Sequence, residues 1–245
     1  MPLDRYDPSP AEMQTMSAAR DVLIGTCMRR KGLEWKLVPR ASEEDAAPRN
    51  RRRYGVVEPR IAEVYGYHLP ADRPTVARRS AAMEEREKGL GAAERKAAFG
   101  SGQKLGGCAK KAQEVLLKDV PDADFGLLDD TIGATYEQSM KDRAVVRGFR
   151  AWSACMARQG YRYADPMEAI TDKRWLKSDH VSREEIRQAR VDVRCKKQTK
   201  LVSVWNAAEN RIQREAIKVK PEAFKRLEQA QRERMAAAYR VLGTS

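Results

Sequence analysis

Four cysteines, Cys27, Cys108, Cys155 and Cys195, are the residues of this 245-residue chain whose type and spacing most narrowly restrict its chemistry. A thiolate binds soft metals or attacks a carbonyl; two thiols close a disulfide. None of the four sits in a Cys-x-x-Cys. With two histidines, His68 and His180, the chain lacks the ligand spacing of a zinc site, and no metal or other cofactor is expected. An even number of widely spaced cysteines suits two disulfides and an oxidising compartment. Four buried thiols in a cytosolic protein are the alternative. The surroundings favour disulfides: Cys27 opens "CMRRKGLEW" and Cys155 opens "CMARQGYRY". Each phrase reads as the end of an amphipathic helix, with cysteine on the core face, glycine as the left-handed stop and an aromatic returning after the turn. Each is followed by one further cysteine, so Cys27–Cys108 and Cys155–Cys195 are the natural pairs. Four cysteines allow three connectivities, and the sequence leaves all three open.

The second candidate chemistry is anion binding. Arg49 to Arg53, within "RNRRRYG", is the one dense basic block. Guanidinium forks suit phosphate or carboxylate, and a tyrosine ring stacks on a ring or sugar. Arg51, Arg52, Arg53 and Tyr54 are therefore the candidate anion-binding residues. They fall in a stretch expected to be an exposed loop with few apolar neighbours, near the acidic run Glu43 to Asp45, so replacing the three arginines by serine is expected to leave the fold intact. No catalytic residues are expected. "GSGQKLGGC" lacks the Gly-Lys-Ser/Thr ending of a phosphate loop and reads as a connector. The acid pairs Glu84–Glu85 and Asp129–Asp130 are adjacent in sequence and splay apart on a helix. His68 is expected to be a packing residue and His180 an exposed one. The chain reads as non-enzymatic.

The elements that must hold these residues are helices. Ser9, Pro10 and Glu12 spell a capping box with proline at the first helical position, opening a helix that Gly32 stops. Met13, Met16, Ala19/Arg20, Leu23 and Cys27 recur on it at helical spacing and predict a buried stripe. Pro59 starts a short helix that Gly66 stops, with Tyr54, Tyr65 and Tyr67 clustered around it. The stretch 72–99 is predicted helical with a break at Gly89 and Gly91, and another helix runs from about Gly107 to Lys118. From Asp129 a helix interrupted at Gly133 runs to Gly160. Asp165 and Ser182 cap the next two. Val193, Leu201, Val204, Trp205, Ala208, Ile212 and Ala216 trace one face of a long helix with Trp205 in the core; Pro221 either begins a further helix or kinks a continuous one. The predicted fold is all-α: antiparallel long helices with short helices and loops between, stapled by two disulfides. It is read as one helical domain over 1–245, in which the doubled phrase suggests pseudo-repeat halves of about 1–125 and 126–245.

A net charge of +13 attracts polyanions such as nucleic acid, anionic lipid or phosphate-bearing wall polymers. The basic residues are, however, interleaved with Asp and Glu almost everywhere. No apolar run approaches the roughly 18 residues of a membrane span, so no transmembrane segment is expected. Taken together, "PLDRYDPSPAE", "NRRRYG", "YGYH", "WSACMARQGYRYADPMEA" and "DVRCKKQTKLVSVWNAAE" resemble a group of uncharacterised secreted or lipid-anchored proteins of actinomycetes such as Streptomyces, over nearly the whole chain. The resemblance implies export and paired cysteines and brings no activity or ligand. Residues 1–20 lack a signal peptide, and "LIGTC" fails as a lipobox, because Thr26 precedes the cysteine and no apolar stretch leads into it. A signal upstream of Met1 is therefore expected. The functional expectation is a secreted or envelope-associated binding protein whose partner is an envelope protein or an anionic envelope component. A cytosolic basic helical protein that binds nucleic acid is the alternative.

Overall fold

The computed structural model describes residues 1–40, 47–70 and 74–243, and among them the regular structure is helical, with no strand. The α-helices in chain order are α1 (Pro10–Arg29), α2 (Pro59–Tyr65), α3 (Pro74–Gly89), α4 (Ala92–Phe99), α5 (Gly107–Leu117), α6 (Phe125–Met140), α7 (Arg143–Ala157), α8 (Pro166–Ile170), α9 (Lys173–Leu176), α10 (Arg183–Gln198), α11 (Leu201–Val219) and α12 (Pro221–Leu242). They assemble two compact units, each from three stretches of chain. Unit 1 comprises Met1–Leu3, Pro48–Ala71 and Gly126–Val219; unit 2 comprises Asp4–Ala47, Asp72–Phe125 and Lys220–Ser245.

Local chemistry explains most helix ends. At α1 the Ser9 hydroxyl accepts from the Glu12 N–H at 3.2 Å while the Glu12 carboxylate accepts from the Ser9 N–H at 2.6 Å. Ser182 and Glu185 make the same box at α10. The doubled phrase is a doubled backbone motif. Gly32 (φ 70°) and Gly160 (φ 87°) are left-handed. Leu33 N–H donates to Met28 O, and Tyr161 N–H donates to Met156 O, each at 3.1 Å. Gly32 and Gly160 N–H donate to Arg29 O and Ala157 O. This is the Schellman pattern, which satisfies the last carbonyls of a helix. The cysteine before each capped methionine is oxidised: Cys27 joins Cys108 of α5 within unit 2, and Cys155 joins Cys195 of α10 within unit 1, with Cα–Cα distances of 5.6 and 5.7 Å.

Three predicted features change. The helix expected from Asp129 does not break at Gly133; α6 runs through it, and the break falls at Asp142, whose carboxylate accepts from the Ala144 and Val145 N–H groups and caps α7. The long helix expected across Val193 to Ala216 breaks at Lys200, held at φ 54°, so α10 and α11 turn against each other. The Met13–Cys27 stripe is core only in part: Ala19 is buried, and Leu23 and Cys27 pack against the apolar cluster of unit 2. The buried side of α1 is Ala19, Ile24, Gly25 and Met28, whereas Met13 is 49% exposed and Arg20 is exposed.

The core of unit 1 is aromatic. Trp205 is fully buried, stacked on Tyr136 and edge-on to Phe149, and its indole N–H donates to the Ser139 hydroxyl at 2.7 Å. Tyr54 and Tyr67 belong to the same core cluster as Ala62 of α2, with Tyr54 packed on Trp205 and Tyr67 on Trp175. Unit 2 packs α1 against α5 and α12, with Ile24, Met28, Trp35, Ala98, Cys108, Ala109 and Ala112 in one apolar cluster.

Candidate functional site

The structure does not leave Arg51, Arg52, Arg53 and Tyr54 as an open patch. Arg51 forks onto Glu58 with bonds of 2.6 and 2.8 Å. Arg52 is half-buried and donates to the His68 carbonyl; burial holds its guanidinium below the usual range. Arg53 reaches the carboxylate of Glu209 on α11, which is fully buried. The Tyr54 hydroxyl donates to the same carboxylate at 2.9 Å, and Gln213 donates to it at 3.1 Å. Burial beside a carboxylate raises the Tyr54 phenol well above its ordinary value. Arg53 and Tyr54 clamp the 48–58 stretch onto α11, while Arg51 and Arg52 tie it to Glu58 and to the His68 carbonyl. The expectation of an exposed loop with few apolar neighbours does not hold, because Tyr54, Gly55 and Val56 are buried. The acidic run Glu43 to Asp45 lies outside the described residues.

His68 is also an internal group. Its Nδ1 lies 2.7 Å from Glu185 Oε1 and its Nε2 lies 2.6 Å from the Ser178 carbonyl. Both contacts suit a ring with two N–H donors, and they raise the His68 pKa, the carbonyl first and the carboxylate second. Glu185, 1% exposed, accepts as well from the backbone N–H of Tyr67 and His68. Gly66, at φ 56°, makes that approach possible, since a Cβ there would stand 2.5 Å from the carboxylate oxygen. The adjacent acids do not converge: Glu84 pairs with Lys88 and Glu85 with Lys36, while Asp129 and Asp130 face solvent.

On α10 tertiary packing sorts the charges. Asp192 and Lys196 are fully buried and paired at 2.9 Å; the ammonium also donates to Val56 O, and the Trp152 indole N–H donates to the carboxylate. Burial pushes the carboxyl up and the ammonium down. With Glu185 and Asp192 turned inward, the outer face of the helix carries Arg183, Arg187, Arg190, Arg194 and Lys197, all exposed. Their spacing is i, i+4, i+7, i+11, i+14: a single stripe about 21 Å long at 1.5 Å rise per residue. Glu184 at the N-terminal end is bound to Arg174, and the contact from Arg190 to Glu63 is long, at 4.0 Å. The sequence signal for this surface is that helical spacing. It was masked by Glu184, Glu185 and Asp192, which read as interleaved acids until two of them are known to be buried.

Unit 2 carries clefts instead. One of about 360 Å³ lies among α1, α5 and α12, lined by Met16, Arg20, Leu116 and Arg234 among others. A groove of about 530 Å³ between α1 and α5 is lined by Leu23, Cys27, Arg30, Lys31, Lys111 and Val115. A smaller one sits over Trp35, whose indole N–H and the stacked Arg86 both donate to Asp21. Met16, Leu23 and Cys27 of the predicted stripe line these walls, as does Arg20, which shares its position in the stripe with the buried Ala19. Among the described residues no helix is long and apolar enough to cross a membrane. The chain matches no protein family, no curated protein and no solved structure.

Proposed function

We propose that this chain is an extracytoplasmic, non-enzymatic binding protein that engages a linear polyanion of the cell envelope along the outer face of α10. The observation that carries the reading is the cationic stripe Arg183–Arg187–Arg190–Arg194–Lys197, solvent-facing and almost without carboxylate neighbours. Cations one helical turn apart, about 5–6 Å, suit a flexible chain bearing an anion on every repeat. Half of α10 is buried against α2, α7 and α11, so it offers a flat rail rather than a free helix for a nucleic-acid groove. Two disulfides, both present, support a compartment where thiols oxidise, as does the resemblance to exported actinomycete proteins.

The test is retention on a heparin or teichoic-acid column for the chain carrying Arg187→Gln, Arg190→Gln and Arg194→Gln. The comparison is a second triple change of equal charge, Lys220→Gln, Lys225→Gln and Arg226→Gln. The α10 change is expected to lower the slope of log affinity against log salt by about 2, at roughly 0.7 per lost contact with a flexible chain. The control is expected to change it little. Equal loss for both would reduce the attraction to net charge and remove α10 from the function.

A further inference from the structure

The cleft among α1, α5 and α12 has a feature the α10 rail lacks: a cation taken partly out of water with no anion to meet it. Arg234 of α12 is half-buried, its guanidinium 4.8 Å over the Phe125 ring. Among the described residues it pairs with no carboxylate, and burial alone holds its pKa below the usual arginine range. Three other shielded arginines each have a partner: Arg53 meets Glu209, Arg86 meets Asp21, and Arg52, which has no carboxylate either, donates to the His68 carbonyl. Partial desolvation of a guanidinium is costly, and among the described residues the Phe125 ring face is the one polar or charge-responsive contact it makes. One turn earlier on the same side of α12, Gln231 is 6% exposed and both atoms of its amide lack a partner. Opposite Arg234 the cleft is lined by Arg20 of α1, also without a carboxylate, and its walls include Met16, Leu116 and Leu117. A volume of about 360 Å³ is at the small end of ligand pockets and is far too small for a polymer.

We infer that this cleft binds a single-headed amphiphilic anion, a carboxylate or phosphate monoester on a short apolar body. The head lies between Arg234 and Arg20, and the body lies along Met16, Leu116 and Leu117. The guanidinium fork supplies paired donors for either head, and the Ser17 hydroxyl and Gln113 amide at the rim supply further donors. The site is in unit 2 and shares no residue with the rail on α10.

Calorimetric titration of the full chain with decanoate, decyl phosphate and decanol, each below its aggregation concentration, tests the inference. Saturable one-to-one binding of at least one anion, with decanol much weaker, is expected; a preference between the two anions assigns the head group. Arg234→Gln is expected to weaken the anion by about tenfold or more, the worth of a lost charged hydrogen bond, and to leave the melting temperature unchanged or raised. The triple α10 change is expected to leave this binding intact. Decanol binding as well as decanoate, no saturable anion binding, or an unaltered affinity in Arg234→Gln would overturn the site. Should Arg234→Gln fail to fold, Leu116→Trp, which fills the apolar wall, must abolish binding in a folded chain; unchanged affinity there overturns it equally.

Discussion

Units 1 and 2 are stapled at the same place, at the cysteine just before the methionine that anchors a Schellman turn, yet they handle charge in opposite ways. Unit 1 encloses Glu185, Asp192, Lys196 and Glu209 and satisfies each with several partners. Its surplus cations are left on the surface, where α10 lines them up. Unit 2 has no enclosed ion pair of that kind among its described residues. Its best-shielded pair, Asp21 with Arg86, keeps 15% and 10% of the side chains exposed, and two of its clefts are lined by cations without carboxylates. A shared staple and cap therefore set chain geometry without setting what the interior holds. The buried carboxylates of unit 1 specify one arrangement of its elements; the open clefts of unit 2 leave donors for a ligand.

The comparison breaks most sharply at the buried pair. Lys196→Ala is expected to cost about 3–5 kcal/mol, because it strands the Asp192 carboxylate in the core. Asp192→Leu with Lys196→Met is expected to recover most of that loss in urea unfolding. A double variant as unstable as the single would mean that the pair stabilises in its own right. Trp205→Ala belongs to the same class, at about 3–5 kcal/mol for a large core truncation, and a wild-type melting curve would remove the aromatic core from the account.

Replacing Arg51, Arg52 and Arg53 by serine now has a different expected outcome from the one the sequence alone suggests. Glu209 loses its cation while remaining buried, so a destabilisation of about 3 kcal/mol or more is expected, with Arg53→Ser carrying most of it. A triple variant that melts like the parent would return the stretch to the solvated class. The matching cut in unit 2, Asp21→Ala, is expected to cost less, about 2 kcal/mol. Its carboxylate accepts from Trp35, Val38 and Arg86 but is not sealed from water.

Smaller effects sharpen the contrast. Cys27 is half-buried on a groove lined by Arg30 and Lys31, whereas Cys155 is 5% exposed and Cys195 is fully buried. Thiol exchange needs access, and nearby cations favour thiolate. Under non-denaturing dithiothreitol, alkylation and peptide mapping are expected to show Cys27–Cys108 opening first; the reverse order would place the more accessible staple in unit 1. Last is pH. The His68 pKa is raised by Ser178 O, Glu185 and the charge of Asp179, so its stabilisation is complete below the ordinary value of 6.5 and is lost as pH rises through the folded pKa. His68→Gln is expected to flatten that part of the stability profile. An unchanged slope would mean that the ring is neutral throughout.

What the sequence determined by itself is what is settled within a turn or two of chain. Ser9 with Glu12, Ser182 with Glu185, Gly32 and Gly160 act on backbone groups three to five residues away, so the residue types alone specify the helix ends. The repeated phrase with its following cysteines suggested the disulfide pairing but left three connectivities open, and tertiary structure chose the one in which each staple closes on the next cysteine in the chain. Tertiary structure decided which helical face is inside. Arg53 and Glu209 are far apart in sequence, and no local pattern announces that they meet. Lys200 adopts a left-handed conformation that its side chain disfavours, at a break no turn residue marks. The apolar stripe of α1 and the mixed charges of α10 both have helical period, but period gives a face and not its partner. On α1 that face opened into clefts. On α10 Glu185 and Asp192 went in with Lys196, because the Tyr67 and His68 N–H groups and the Trp152 indole donate to the carboxylates and Val56 O accepts from the ammonium, and the arginines were left outside.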